Sequence, residues 1–139
     1  MISVTLVPND HVPFVWDIVA PMINDALAYC GGLYSLEDVY HDLMDGEQTL
    51  WLALQDGEII GCTTLSIIQY PRERTLCYKW LGGKDVTLWL EEGHRVCSAY
   101  ARELGCTRLE CFGRSGWKKF LEKLGWRQTG VQYEFELKD

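Results

Sequence analysis

No stretch of this sequence approaches the ~20 consecutive apolar residues that a membrane-spanning helix needs. Its start carries no basic segment followed by an apolar run and a small-residue cleavage site, so a soluble, unexported protein without a membrane partner is expected. Basic residues are few: 13 Lys and Arg stand against 20 Asp and Glu, for a net charge of −7. They form no positive stripe that could release counterions from a phosphate backbone, which argues against nucleic acid as a partner. There is no GxSxG, no Walker loop and no dinucleotide fingerprint. His11, His41 and His94 are far apart and share no ligand spacing with cysteines or carboxylates, so no metal site is expected. Repeats, low-complexity tracts and linker-like shifts are missing too, and residues 1–139 are read as one domain.

Apolar side chains, by contrast, are plentiful. They make up 47% of the 139 residues, with six Trp and seven Tyr, enough aromatic volume to fill a core around a sheet. A domain of this size buries roughly 68% of the surface its unfolded chain exposes. The six cysteines contain no CxxC pair, and Cys62, Cys77, Cys97 and Cys111 sit beside apolar neighbours. They read as buried reduced thiols, which places the chain in a reducing cytoplasm.

Periodicity supplies the element order. Ser3 to Val7 reads as a short strand. Pro13 opens a helix whose apolar set includes Phe14, Ile18, Val19, Met22, Ile23, Ala26 and Leu27, and Pro21 is expected to kink or split it. Ser35 and Asp38 resemble a capping box ahead of a second helix that stops at Gly46. Thr49 to Gln55 and Glu58 to Gln69 flank the turn pair Asp56-Gly57, and Arg74 to Leu81 is a third strand of the same meander. Asp85 is expected to cap the longest helix, which ends at Gly105, and a close approach to the sheet would explain Gly93 within it. Cys106 to Phe112 then reads as a buried strand parallel to its neighbour. Trp117, Phe120, Leu121 and Leu124 share one face of a short helix, and Val131, Tyr133, Phe135 and Leu137 alternate as a closing strand.

This order of elements, with FLEKLGW at Phe120 to Trp126 and ARELGC at Ala101 to Cys106, resembles the GNAT superfamily of acyl-CoA-dependent N-acetyltransferases over nearly the whole chain. The resemblance implies an α/β (α+β) fold with a mixed, mostly antiparallel sheet and helices on both faces. It implies acetyl-CoA as cofactor and a small-molecule or protein amine as acceptor. A narrower likeness, carried by Gly113, Arg114, Gly116 and Trp117, is to small GNAT-like proteins of tailed phages. That likeness implies an alternative: a catalytically inactive structural or binding protein, located in the virion, with other phage proteins as partners. A third possibility is an interaction domain that uses exposed aromatics such as Trp51 or Trp117.

Acyl transfer from a thioester to an amine needs a seat for the cofactor diphosphate, a donor for the oxyanion, a base for the ammonium and an acid for the thiolate. In the family register the diphosphate loop falls on Asp85, Leu88 and Leu90, all departures from its glycine-containing pattern, so the loop is degenerate. Gly82, Gly83 and Lys84 are the local substitute, as a nest of amides beside one ammonium. Arg114 falls where the family contacts the cofactor arm, and Leu121 stands where the family tyrosine protonates the thiolate. The oxyanion donor falls on the backbone amide of Trp80 or Leu81. Candidate bases are Glu73, His41, Asp42, Glu91 and Glu92, with Glu91 expected to pair with Arg95.

Overall fold

Leu50 and Leu52 point to one side of their strand and Trp51 and Ala53 to the other, and this period of two divides the interior into separate cores. The computed structural model describes residues 1–138. It contains one five-stranded sheet whose spatial order follows the chain: β1 (Ile2–Val7), β2 (Thr49–Gln55), β3 (Glu58–Gln69), β4 (Arg74–Gly83) and β5 (Arg108–Cys111). The first three junctions are antiparallel and β4 pairs with β5 in parallel. Helices α1 (Val12–Leu27) and α2 (Leu36–Met44) cover one face, where Val19, Ile23 and Leu43 meet Leu50, Leu52 and Cys62. Helix α3 (Val86–Glu103) covers the other, with Cys97 and Ala101 against Trp51, Leu65 and Leu76, and Trp89 against Ala53 and Ile60. The expected mixed, mostly antiparallel sheet with helices on both faces is the one observed. Each fully buried Leu or Ile, such as Leu50 and Ile60 at 0% exposure, contributes about 1.5–3 kcal/mol of transfer free energy.

Local signals explain several boundaries. Ser35 accepts the Asp38 amide on its hydroxyl at 3.2 Å and donates its own amide to the Asp38 carboxylate at 2.8 Å, so the capping box at the start of α2 is complete. Asp56 and Gly57, with φ of 51° and 85°, both adopt the left-handed conformation that a tight hairpin between β2 and β3 requires.

Other expectations are corrected. Pro21 lies inside α1, which neither splits nor ends there. Asp85 occupies the cap position of α3 in a left-handed conformation and its side chain caps nothing; only its carbonyl takes part, accepting the Leu88 amide at 2.8 Å. A Cβ on Gly93 would make only ordinary contacts, 3.7 Å from Trp89 and 4.0 Å from Val4, so crowding does not require glycine there. Crowding is found instead at Gly82, whose added Cβ would stand 2.3 Å from the Met22 carbonyl oxygen of α1. Strand β4 runs on to Gly83, and β5 is only four residues long. The short helix is α4 (Lys118–Lys123), entered through a 3-10 turn at Ser115–Trp117. Trp51 is 5% exposed and belongs to the core, which removes it as a docking aromatic.

The expected closing strand from Val131 to Leu137 does not form; Tyr133, Phe135 and Leu137 are 87–89% exposed. A strand needs a ladder as well as a period of two. The short β5 ends at Cys111, and the chain then turns away through Phe112 to Arg114 into the next turn.

Candidate functional site

Strands β4 and β5 pair only from Thr75 and Arg108 to Tyr78 and Cys111. Beyond Tyr78, β4 continues for five more residues toward Gly83 while the segment after β5 turns away, so the two backbones part in a V. A bulge coincides with the parting: Thr64 and Leu65 of β3 face Trp80 and Tyr78, leaving Lys79 as the extra residue. The insertion resets the alternation of side chains. Tyr78 packs with the α3-side core, whereas Trp80 packs with the core under α1 and α2, and Leu81 returns to the α3 side.

The same reset fixes the backbone polarity. Trp80 donates its amide to the Thr64 hydroxyl at 3.2 Å, and its carbonyl accepts the Thr63 hydroxyl at 2.8 Å. Lys84 donates its amide to the Ile60 carbonyl at 2.9 Å. Even-numbered positions of this segment therefore hydrogen-bond toward β3, and the amide of Leu81 points away from β3, into the parted edge. Of the two expected oxyanion donors, Trp80 is occupied and Leu81 is available.

The gap opens into a cavity of about 770 Å³, within the size range of small-molecule sites. Its walls come from both faces of the sheet. On one side are Trp89, Leu90, Gly93, His94 and Cys97 of α3; on the other are Tyr29, Cys30, Leu33 and Tyr34 of the loop between α1 and α2. The turn after β5 adds Phe112, Gly113 and Arg114, and Trp117, Leu121 and Trp126 close the far side. The opening is a passage through the sheet.

Electrostatics grade the walls. Burial, reinforced by the neighbouring Cys97 thiol, holds the Tyr78 hydroxyl well above its ordinary pKa, so it stays protonated at neutral pH. Burial likewise pushes Cys77 and Cys97 up to about 11. Trp126 donates its indole N–H to His94 Nδ1 at 3.2 Å, and desolvation with the nearby Arg102 charge lowers the His94 pKa. His94 is therefore neutral with its proton on Nε2. At the other mouth the Arg114 guanidinium stacks 3.9 Å from the centre of the Tyr29 ring, and Lys79 lies 5.5 Å from the centre of Tyr34. Tyr34 meets Trp80 edge-on at 5.4 Å, and the Trp80 indole N–H is buried without a partner.

The sequence-derived candidates distribute unevenly over this geometry. Trp80, Leu81 and Arg114 line the cavity together, as does Leu121, an apolar wall where a proton donor was sought. Gly82, Gly83 and Lys84 stand outside its lining. Gly82 is there to let α1 pass, an added Cβ on Gly83 would strike Gly61 and the Ile60 carbonyl, and Lys84 directs its ammonium toward Glu58 at 3.9 Å. These residues build strand packing and not a nest of amides. Glu73 lies at the opposite end of β4 and pairs with Arg108 at 3.1 Å. Asp42 accepts from Gln48 at 2.9 Å, and Arg95 pairs with Glu92, not Glu91. None of these carboxylates reaches the gap.

Tyr29, Tyr34, Lys79, His94 and Trp126 were missed. The segment YCGGLY, with two aromatics around a glycine pair between two helices, was a legible signal for the first two. Gly31 and Gly32 both take positive φ, 67° and 81°, which lets the loop fold back over the sheet.

The chain is similar over its full length to solved acetyltransferase structures. The ribosomal-protein-alanine N-acetyltransferase of Brucella melitensis biovar Abortus 2308 superposes with a TM-score of 0.73 at 13% identity, covering 99% of this chain and 100% of that one. A structure described as a probable acetyltransferase gives 0.72 at 18% identity, covering 98% of each chain. The aminoglycoside acetyltransferase meta-AAC0020 from an uncultured soil metagenomic sample, in complex with sisomicin, gives 0.68 at 13% identity, covering 99% and 97%. This is the GNAT fold. No family model matches the chain, and no curated protein matches it in sequence.

Proposed function

We propose that this protein is an acyl-CoA-dependent N-acetyltransferase that uses acetyl-CoA and acts on an amine acceptor. The observation that carries this reading is the V between β4 and β5, with the Leu81 amide turned into it. When bound, acetyl-CoA supplies the activated acetyl group. The residues fit its pantetheine arm: Trp89, Leu90 and Gly93 offer an apolar wall on the α3 side of the gap. The Leu81 amide is the donor for the developing oxyanion, already aligned by the ladder on the other side of β4 and therefore needing no reorganisation. The diphosphate has a poorer seat. At the start of α3 the Leu88 amide is taken by the Asp85 carbonyl, which leaves Val86 and Thr87 as anion donors, but the Asp85 carboxylate stands beside them and Leu88 and Leu90 replace small residues. With Leu121 apolar, thiolate protonation comes from elsewhere on the wall.

That poor seat favours a second reading, a GNAT-fold structural or binding protein of a phage virion that has lost its cofactor. The two readings separate in one titration. Acetyl-CoA at 100 times its Kd stabilises a protein that binds it by about 2.7 kcal/mol. The acetyltransferase reading expects a rise in Tm with acetyl-CoA; an unchanged Tm at millimolar cofactor, with no acetyl transfer to any amine, leaves the structural reading standing.

A further inference from the structure

The passage has two chemically different mouths. Beside α3 its wall is Trp89, Leu90 and Gly93, whereas the mouth under the Tyr29 to Tyr34 loop holds two cations. Lys79 is half-buried, and neither it nor Arg114 forms an ion pair among the described residues, in a chain of net charge −7. Only Lys84, Arg95, Arg108 and Lys118 have carboxylate partners among the described residues, so what distinguishes Lys79 and Arg114 is their place: they are the Lys and Arg side chains that line this cavity. Tyr29 covers one face of the Arg114 guanidinium at 3.9 Å, which holds the group in place and leaves its in-plane N–H fork open. Trp80 adds a buried indole N–H with no partner among the described residues. Glu110 and Glu134 also reach the cavity, but the Glu110 carboxylate accepts the Tyr70 hydroxyl at 2.7 Å and Glu134 is exposed.

We propose that the acceptor is an amine carrying a carboxylate or a phosphate, and that Arg114 and Lys79 grip this anion at the loop-side mouth. The proposal rests on the acetyltransferase reading for the transfer itself, and it reassigns Arg114 from the cofactor to the acceptor. A planar fork and a half-buried ammonium suit an oxyanion and repel a polycation, so an aminoglycoside fits this mouth poorly. Specificity follows from geometry: an acceptor lacking the anion leaves both cations without a counter-charge.

The test compares glutamate, O-phosphoethanolamine, ethanolamine and sisomicin as acceptors, following release of the CoA thiol. Glutamate or O-phosphoethanolamine should exceed ethanolamine in kcat/KM by about tenfold or more, and the better of the two distinguishes carboxylate from phosphate. Arg114→Gln should raise KM for that acceptor about tenfold while leaving the acetyl-CoA KM unchanged, with partial rescue in Arg114→Lys; Lys79→Gln should show a smaller rise. A binding arm needs no cofactor: NMR shift titration of the protein with the same four amines should show saturable binding of the anionic ones, weakened in Arg114→Gln. Equal or better use or binding of ethanolamine or sisomicin, or no effect of Arg114→Gln in both arms, overturns the proposal. Intact anion binding without acetyl-CoA binding would instead remove only the acetyltransferase reading.

Discussion

Trp126 places its indole N–H 3.2 Å from His94 Nδ1, joining the segment after α4 to the middle of α3 across the cavity wall. The donor demands an unprotonated nitrogen, and desolvation and Arg102 act in the same direction on the His94 pKa, below its ordinary 6.5. The unfolded chain therefore binds this proton more readily than the folded one, and stability should fall as pH drops below about 6.5. Tm measured from pH 7.5 to 5.5 should decline, and His94→Gln should flatten that decline. A profile identical to that of the wild type would show that His94 does not control it.

If the Leu81 amide is the oxyanion donor, deleting that one N–H should act on turnover more than on folding. Leu81→Pro does so on the edge of β4 that faces away from the β3 ladder, where proline is tolerated best. The expected loss in kcat is about 10²–10³-fold with acetyl-CoA KM little changed. Circular dichroism and Tm close to wild type would confirm an intact sheet.

Gly82 should tolerate no side chain. An added Cβ would meet the Met22 carbonyl oxygen at 2.3 Å and its carbon at 2.8 Å, both backbone atoms that cannot rotate away. Gly82→Ala is expected to cost about 3 kcal/mol in urea unfolding by pushing α1 off β4. Gly116→Ala, with nothing within 4 Å of the new methyl, should stay within about 0.5 kcal/mol of wild type.

The thiols should react in two classes. Burial pushes Cys62 up to about 12 and Cys77 and Cys97 to about 11. For Cys30, slight desolvation acts upward, but backbone hydrogen bonds at Tyr34, Gly32 and Leu33 outweigh it and lower its pKa. A disulfide reagent on the native protein should label Cys30 first, and Cys30→Ser should remove the fast phase. An unchanged fast phase would place the reactive thiol elsewhere.

Much of the scaffold was legible because its signals are local. The Ser35–Asp38 box, the Asp56-Gly57 turn and the heptad-like stripe of α3 each specify their element within a few residues. The site was less legible because it depends on register. Which amide of Trp80 and Leu81 is free follows from a bulge at Lys79 that no periodicity announces. Glu73 was taken for a base because a strand start lies close in sequence to the strand end that matters, yet the length of β4 separates them. Gly82-Gly83 read as a phosphate nest because glycine pairs serve both loops and tight packing, and only the neighbours distinguish the two uses. The tail from Val131 to Leu137 has the pattern of a strand but no partner for its amides.

The bulge at Lys79 makes the passage a matter of counting. Removing that single residue would make Tyr78 and Trp80 neighbours, and because these already face opposite sides, the Trp80 indole would stay on the loop side and Leu81 on the helix side. What the deletion would take away is the local bend and extra twist that a bulge gives its strand, at the point where β4 leaves β5. A one-codon deletion, without any change in which side chains face which core, would thus straighten β4 and narrow the gap beside it.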